Sequence, residues 1–263
     1  MSSTPTPVPG NLPNIPPSSL CVTYPYTSPN RMRRLYYDTD PNKTPYLHFT
    51  NVPHTLITQS LELDRFVQTK ARITYDYPSR TLIMKGGSRR LEFAKGLFET
   101  SLSGYRYATG LRRGIIPCGA ATVAEGDVVK EPDLSWYPRN LPPGQGRKWP
   151  HMVLHVGWPE GLEYLRREAK LWLEWSKGDV KTVVLMDIGE KEMGIEKWVT
   201  GDEGPQMVQR VLVRKTENGL AALNAPFVMT FQELFLRDPD PEKPQEKDWV
   251  LDVEQLGEYL EFC

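Results

Sequence analysis

Strand-like and helix-like periods of apolar residues alternate along the middle of this chain. Alternating residues over Arg72–Tyr77 and Thr81–Met84, with Pro78-Ser79 between them, predict a β-hairpin. After the hairpin, apolar residues recur at helical spacing, and Ser88 is a suitable N-cap. The pattern therefore predicts a helix over about residues 89–104.

The following part of the chain continues this alternation. A continuous apolar run, Val180–Ile188, is typical of a strand buried on both faces. One mixed sheet flanked by helices, an α/β fold, accommodates this order of elements. The other predicted elements are two short strands within 115–137, a strand at His151–Val156, a helix opened by Trp158-Pro159-Glu160 and ending near Lys177-Gly178, strands at Ile195–Val199 and Met207–Val213, and a short helix at Phe231–Leu236 with a Thr230/Glu233 capping box.

Proline and charge divide the chain into three parts. Residues 1–30 hold eight prolines and no charged residue, so residues 1–45 are expected to form an extended or disordered arm, or an arm lying along the domain surface. Residues 46–236 are expected to form the folded domain. Residues 237–263 carry nine acids against three bases and form an acidic C-terminal segment.

Composition excludes several classes of protein. No run approaches the roughly 18 continuous apolar residues of a membrane helix, and the first residues lack the features of a secretory signal. The three cysteines are widely spaced, which suits a reducing compartment. We expect an intracellular protein, cytoplasmic or nuclear, without a membrane partner.

The net charge of −1 gives no global attraction to nucleic acid, but the charge is uneven. Residues 80–170 hold 15 bases and nine acids. One interpretation is an ordinary solvated surface. The other is a basic face that the acidic segment covers.

An ordered set of short motifs carries most of the functional information. Glu131-Pro132-Asp133 precedes the strand Leu154-His155-Val156-Gly157; an Arg-rich helix, the buried strand and Ile195-Glu196-Lys197-Trp198 follow. Together these motifs resemble the PD-(D/E)XK, or restriction-endonuclease-like, superfamily, and are most similar to its fungal and cyanobacterial proteins. The resemblance covers about residues 70–200 and implies a restriction-endonuclease-like core.

The resemblance implies phosphodiester hydrolysis at Mg²⁺, held by carboxylates on neighbouring strands and by a backbone carbonyl. Asp133 matches the first metal carboxylate, and Val156 matches the residue that offers its carbonyl. Glu131 lies two residues before Asp133 and is a second candidate metal ligand. Glu92, on the leading helix, matches an accessory acid.

Two positions depart from the family pattern. His155 stands where the family has its second carboxylate, and Gly157 stands where it has a lysine. Lys170 on the following helix is the candidate replacement for that lysine, with Arg166 on the same helix face. Because imidazole suits Zn²⁺, Ni²⁺ or Mn²⁺ better than Mg²⁺, we expect a weak Mg²⁺ or Mn²⁺ site or no cofactor.

Three functions follow. The first is a nuclease-like protein with a degenerate metal site, weak or no hydrolysis and retained nucleic-acid binding; its candidate catalytic residues are Asp133, His155, Lys170 and Glu92, and its candidate nucleic-acid contacts are Arg166, Arg167, Arg147 and Lys148. The second is an active Mg²⁺- or Mn²⁺-dependent endonuclease using Asp133, Glu131, Glu92 and Lys170. The third is a non-catalytic module that binds a protein partner through the Pro-rich arm or the acidic tail. A purely structural role, with a tail helix docked into the core, is a further alternative.

Overall fold

The computed structural model describes residues 15–58, 71–158 and 161–262. It has the predicted mixed α/β architecture, but the described strands form two large sheets and one two-stranded sheet rather than the single mixed sheet that the order of elements predicted. The helices are α1 (Pro29–Asp38), α2 (His54–Thr58), α3 (Arg89–Ala108), α4 (Leu162–Trp175), α5 (Phe231–Phe235) and α6 (Val253–Phe262). The strands are β1 (Cys21–Pro25), β2 (Tyr46–Thr50), β3 (Arg72–Asp76), β4 (Thr81–Lys85), β5 (Ile115–Pro117), β6 (Val123–Glu125), β7 (Val128–Lys130), β8 (Leu134–Pro138), β9 (Met152–Gly157), β10 (Thr182–Ile188), β11 (Glu192–Gly201), β12 (Gly204–Thr216), β13 (Gly219–Leu223), β14 (Phe227–Met229) and β15 (Trp249–Leu251).

A six-stranded sheet of order β1-β2-β4-β3-β7-β6 forms the N-terminal layer. The predicted hairpin is confirmed, since β3 and β4 pair antiparallel from Arg72 opposite Lys85 to Asp76 opposite Thr81. One face of this sheet packs into an apolar cluster that includes Phe49, Tyr75 and Leu82. The hairpin brings Lys85, at the end of β4, to the border with the second sheet.

A seven-stranded sheet of order β13-β12-β11-β10-β9-β8-β5 forms the larger layer. Strand β10 is parallel to β9 and antiparallel to β11, and its buried apolar run confirms the strand predicted at Val180–Ile188. Helix α3 packs with Leu154 and Val156 of β9, whereas α4 packs with Val153 on the opposite face of the same strand. Alternation along β9 therefore points His155 to the α4 side.

Caps set the ends of the helices. The Ser88 side chain accepts a hydrogen bond from the Leu91 amide at 3.3 Å, as predicted, and α3 continues beyond the expected end to Ala108. The Thr230/Glu233 capping box is also present, and α5 stops because Leu236 has a left-handed φ of 54°. Helix α4 begins at Leu162, while Pro159 and Glu160 of its predicted start lie outside the described residues.

Two expectations about particular segments need correction. Within 15–45 the extended or disordered arm is wrong: β1 pairs with β2, and α1 buries Met32. Residues 1–14 lie outside the described part. The range 115–137 contains four short strands rather than two, because the hairpin β6–β7 is inserted before β8.

The acidic segment is part of the core rather than a free tail. It contributes β15, which pairs with β14, and α6. In α6 the apolar residues alternate with acids at helical spacing, so Glu254, Glu258 and Glu261 remain exposed while the apolar side chains are buried. This confirms the docked-tail alternative; the buried residues are Trp249, Leu251, Leu256, Tyr259 and Leu260. No helix in the described ranges is both long and apolar enough to cross a lipid bilayer.

Candidate functional site

A buried polar site lies where the two sheets meet. Asp133 directly precedes β8, and its side chain is almost completely buried. The antiparallel register of β8 with β9, Leu134 opposite Leu154, brings Asp133 next to Val156. The Asp133 amide donates to the Leu154 carbonyl at 3.1 Å, and the Val156 amide donates to Asp133 Oδ2 at 3.0 Å. The backbone of β9 thus fixes the Asp133 carboxylate.

The Lys85 ammonium occupies the centre of this site. Lys85 Nζ donates to Asp133 Oδ2 at 2.9 Å and to the Val156 carbonyl at 2.6 Å. These two oxygens belong to two of the three candidate metal ligands that the sequence comparison implied, and Glu131 is the third. Lys85 is 8% exposed, so its charge is neutralised within the protein rather than by solvent.

This contact determines the charge state of Asp133. Burial alone would raise the pKa of the carboxyl, since a charge is costly away from water. The Lys85 ammonium and the nearby His155 act in the opposite direction, and the net effect holds the Asp133 pKa well below its ordinary value. The site therefore contains an ionised carboxylate paired with an ammonium group.

His155 lies beside Asp133, as the strand pattern predicts. Its Nδ1 is 3.6 Å from Asp133 Oδ2, and its ring faces Trp172 of α4 with 5.9 Å between ring centroids. His155 Nε2 is buried and has no hydrogen-bond partner among the described protein atoms. The adjoining cavity offers about 20 Å³, enough for about one water molecule and far too little for a nucleotide.

Glu131 lines the same cavity, and its carboxylate already accepts hydrogen bonds from neighbouring residues. Its carboxylate accepts from the Ile73 amide at 3.1 Å and from Thr122 Oγ1 at 2.7 Å. It therefore ties the β7–β8 connection to β3. In this arrangement Glu131 acts as a structural acceptor beside Asp133.

Sequence reasoning missed the lysines of this region. Besides Lys85, the buried Lys130 forms an ion pair with Glu168 of α4, and Glu168 lines the same cavity. The only signal was a lysine at the end of each of two apolar strands, β4 and β7, in positions that the alternation turns inward. A charge that is buried in this way requires a partner, and these partners are distant in sequence.

Other predicted residues lie elsewhere. Glu92 is largely exposed near the start of α3 and pairs with Lys95 at 2.6 Å. Lys170 is exposed, with its ammonium 5.9 Å from the centroid of the Trp198 ring. Neither Glu92 nor Lys170 lines the cavity beside Asp133, so the structure does not bring together the set proposed for an active endonuclease.

Arg166 is partly buried, and its guanidinium is paired with acids of the same chain. Its guanidinium binds the fully buried Glu196 with two hydrogen bonds, 3.1 and 2.7 Å long. Trp198 Nε1 also donates to Glu196, at 2.9 Å. Arg167, the next residue, is exposed. The two neighbouring arginines therefore have different roles.

Four arginines gather at a different edge of the molecule, around β5; we call Arg112, Arg113, Arg139 and Arg147 the basic corner. The Arg139 amide donates to the Gly114 carbonyl at 2.8 Å, and Arg147 Nη2 donates to the Arg139 carbonyl at 2.8 Å. Arg112 covers the ring of Tyr107, which is 64% exposed, at 4.1 Å. Residues 100–124 and 134–158 contain no acid, so the corner concentrates positive charge.

The donor set does not fit a Mg²⁺ site. Mg²⁺ needs several oxygen ligands in near-octahedral geometry. Here Asp133 Oδ2 and the Val156 carbonyl both accept from Lys85, and His155 supplies nitrogen in place of a second carboxylate. Among the described residues, no group of three or more histidine, cysteine, aspartate and glutamate side chains is arranged to hold a metal ion.

Comparison with known proteins finds similarity at the level of structure. No protein-family model matches the chain. No curated protein matches it either. A crystal structure from Anabaena variabilis, described as a candidate nuclease of the DUF820 family, is 12% identical in sequence with a TM-score of 0.40. The match covers 72% of this chain and 90% of that one.

Proposed function

We propose that this chain is a PD-(D/E)XK-type protein in which Lys85 replaces the metal ion, so that phosphodiester hydrolysis is weak or lost. The observation that carries the proposal is the position of Lys85 Nζ, within hydrogen-bonding distance of both Asp133 Oδ2 and the Val156 carbonyl. An ammonium group supplies positive charge to the carboxylate, but it cannot bind and activate a water molecule as a metal ion does.

The order of elements also supports the proposal. A hairpin, a leading helix, the Asp133 strand, the His155 strand, an Arg-containing helix and a buried strand follow one another as the resemblance implies. The closer similarity to fungal and cyanobacterial members, and an intracellular location, stay predictions.

Metal titration with a plasmid-nicking assay tests this proposal. We expect no calorimetric binding of Mg²⁺ or Mn²⁺ to the wild-type protein and no nicking with either ion. The variant Lys85→Ala/His155→Glu removes the ammonium and restores a second carboxylate, so it is expected to gain Mn²⁺ binding. Lys170→Ala/His155→Glu, which keeps Lys85, is the matched control and is expected to gain none. Metal-dependent nicking by the wild type, abolished by Asp133→Ala, would support the endonuclease alternative instead.

We propose further that the retained role is nucleic-acid binding through the basic corner. Clustered arginines neutralise phosphates, and an exposed tyrosine offers a stacking surface for bases. A surface depression of about 620 Å³ is lined by Tyr107, Arg112 and Arg113 among others. Of the contacts predicted from sequence, Arg147 belongs to this corner, whereas Lys148 is paired with Glu125 and Arg166 with Glu196.

Fluorescence anisotropy with a labelled oligonucleotide of about 20 nucleotides tests the binding surface. Wild-type affinity should fall steeply between about 50 and about 200 mM salt. Arg112→Glu/Arg113→Glu should weaken binding at least about tenfold, because two phosphate contacts become repulsive. Arg31→Glu/Arg34→Glu makes the same charge change on exposed positions of α1 and should have a much smaller effect. Equal losses from both variants would mean that only net charge matters and would contradict the assignment.

A further inference from the structure

The two large sheets have four end strands, and three of them carry features that discourage pairing with another chain. Strand β1 ends in Pro25, β5 ends in Pro117, and β6 ends in Glu125. Proline removes an amide donor, and charge resists a neighbouring chain, so both features protect sheet edges. Strand β13, with the sequence Gly-Leu-Ala-Ala-Leu, carries neither.

Strand β13 is also exposed and firmly held. All five of its residues are exposed, with Leu220 at 41% and Leu223 at 60%. Its inner edge pairs with β12, and within the described ranges no strand pairs with its outer edge. A Cβ at Gly257 would lie 2.2 Å from Leu220 Cδ1, so α6 packs directly against the strand. The edge is thus fixed in an extended shape that can accept another strand.

We propose that β13 pairs antiparallel with β13 of a second copy of this chain, so that two seven-stranded sheets join across a two-fold axis. An antiparallel pair of identical strands has a register that repeats about its centre, which here is Ala221. Ala221 then lies opposite Ala221 of the other copy. Leu220 lies opposite Ala222, and Gly219 lies opposite Leu223.

The sequence of β13 is complementary to itself in this register. Each leucine meets a small residue, which leaves room for its side chain beside the two-fold axis. The strand contains no charged residue, and the next pair outward would be Asn218 opposite Asn224, so no like charges meet. These properties favour a second copy over a partner strand of unrelated sequence.

The assembly closes at two chains. The contact is isologous, meaning that the same surface is used on both copies. The inner edge of β13 is already paired with β12, so the new contact occupies the outer edge of β13 and leaves no edge of this strand for a third chain. The inference does not depend on the proposed function, because Lys85 and Asp133 lie outside this edge of the sheet.

Sedimentation equilibrium of the full chain over a range of concentrations tests the proposal. The wild type is expected to be a dimer in equilibrium with monomer. Ala221→Lys places two lysines opposite each other and should raise the dissociation constant at least about tenfold. Ala221→Thr, a neutral residue that suits a strand, should leave it nearly unchanged. Val208→Lys adds the same charge to an exposed position of β12, away from the pairing edge, and should also leave it unchanged.

A charge-swap experiment tests the register itself. Ala221→Lys and Ala221→Glu are each expected to dimerise more weakly than the wild type when alone, and a mixture of the two should form a tighter heterodimer. Circular dichroism melting of each variant checks that it is folded. A monomeric wild type, a dimer that withstands Ala221→Lys, or a mixture that stays monomeric would each overturn the proposal.

Discussion

The ammonium of Lys85 lies 2.9 Å from Asp133 Oδ2 and 2.6 Å from the Val156 carbonyl, so one side chain bridges two strands of the second sheet from the first. The contact therefore joins the two sheets through a buried ion pair.

Removing this ammonium should destabilise the fold. Lys85→Met leaves the Asp133 carboxylate buried without its partner, and the loss of one member of a buried pair typically costs about 3–5 kcal/mol. Lys170→Met, at an exposed lysine, should change the free energy of unfolding by less than about 0.5 kcal/mol. Urea denaturation measures both. Similar values for the two variants would mean that the Lys85–Asp133 contact contributes little.

Stability should depend on pH through His151. Burial lowers the pKa of this histidine from 6.5 to about 4, while its ring nitrogens lie 2.8 and 3.0 Å from the carbonyls of Trp136 and Leu234. Between these pH values the unfolded chain binds a proton that the folded chain does not. The free energy of unfolding should therefore fall as pH drops from 6.5 to 4, by about 3 kcal/mol in total, and should not change through this group above that range.

His151→Gln tests this dependence because glutamine does not titrate. Urea denaturation across the pH range should show a shallower slope for the variant than for the wild type. The exposed-surface variant Lys170→Gln is the control and should keep the wild-type slope. If the free energy of unfolding changes with pH equally in the wild type and in His151→Gln, other groups cause the pH dependence.

Substitutions of the two neighbouring arginines of α4 should differ in their effect on the free energy of unfolding. Arg166→Ala strips the buried Glu196 of its bidentate partner, although Arg210 remains 3.4 Å away, and should cost about 2–4 kcal/mol. Arg167→Ala removes the same charge from an exposed position and should cost less than about 0.5 kcal/mol. Thermal unfolding compares them directly. If Arg166→Ala destabilises the protein as little as Arg167→Ala does, the ion pair between Arg166 and Glu196 contributes little to stability.

Deletion of residues 237–263 should abolish folding, because the segment fills part of the core. Leu256→Ala should cost about 2–5 kcal/mol, the usual range for a buried leucine. Glu258→Gln, on the exposed side of the same helix, should be nearly neutral. The two variants can be compared by urea denaturation. A stable, folded 1–236 fragment in a far-ultraviolet circular dichroism spectrum would contradict the docked role.

Local patterns predicted much of the architecture because their causes are local. The hairpin β3–β4, helix α3 and its Ser88 cap, the buried strand β10 and the α5 capping box all follow from residues within one element. The N-terminal elements were missed because β1 and α1 are stabilised by pairing with β2 and by burial, rather than by strong local periodicity. Composition alone could not reveal those tertiary contacts.

The sequence by itself determined the order of the central elements and, through the resemblance of its motifs, the neighbourhood of Asp133, His155 and Val156, where the structure pairs β8 with β9. Only the tertiary structure decided what fills that neighbourhood. Lys85 is separated from Asp133 by 48 positions and from Val156 by 71, and it reaches them because its strand β4 ends beside the second sheet. The strength of a buried ion pair depends on the distance between the charges and on the local dielectric environment. Both quantities are set by the folded structure and cannot be obtained from any single stretch of sequence.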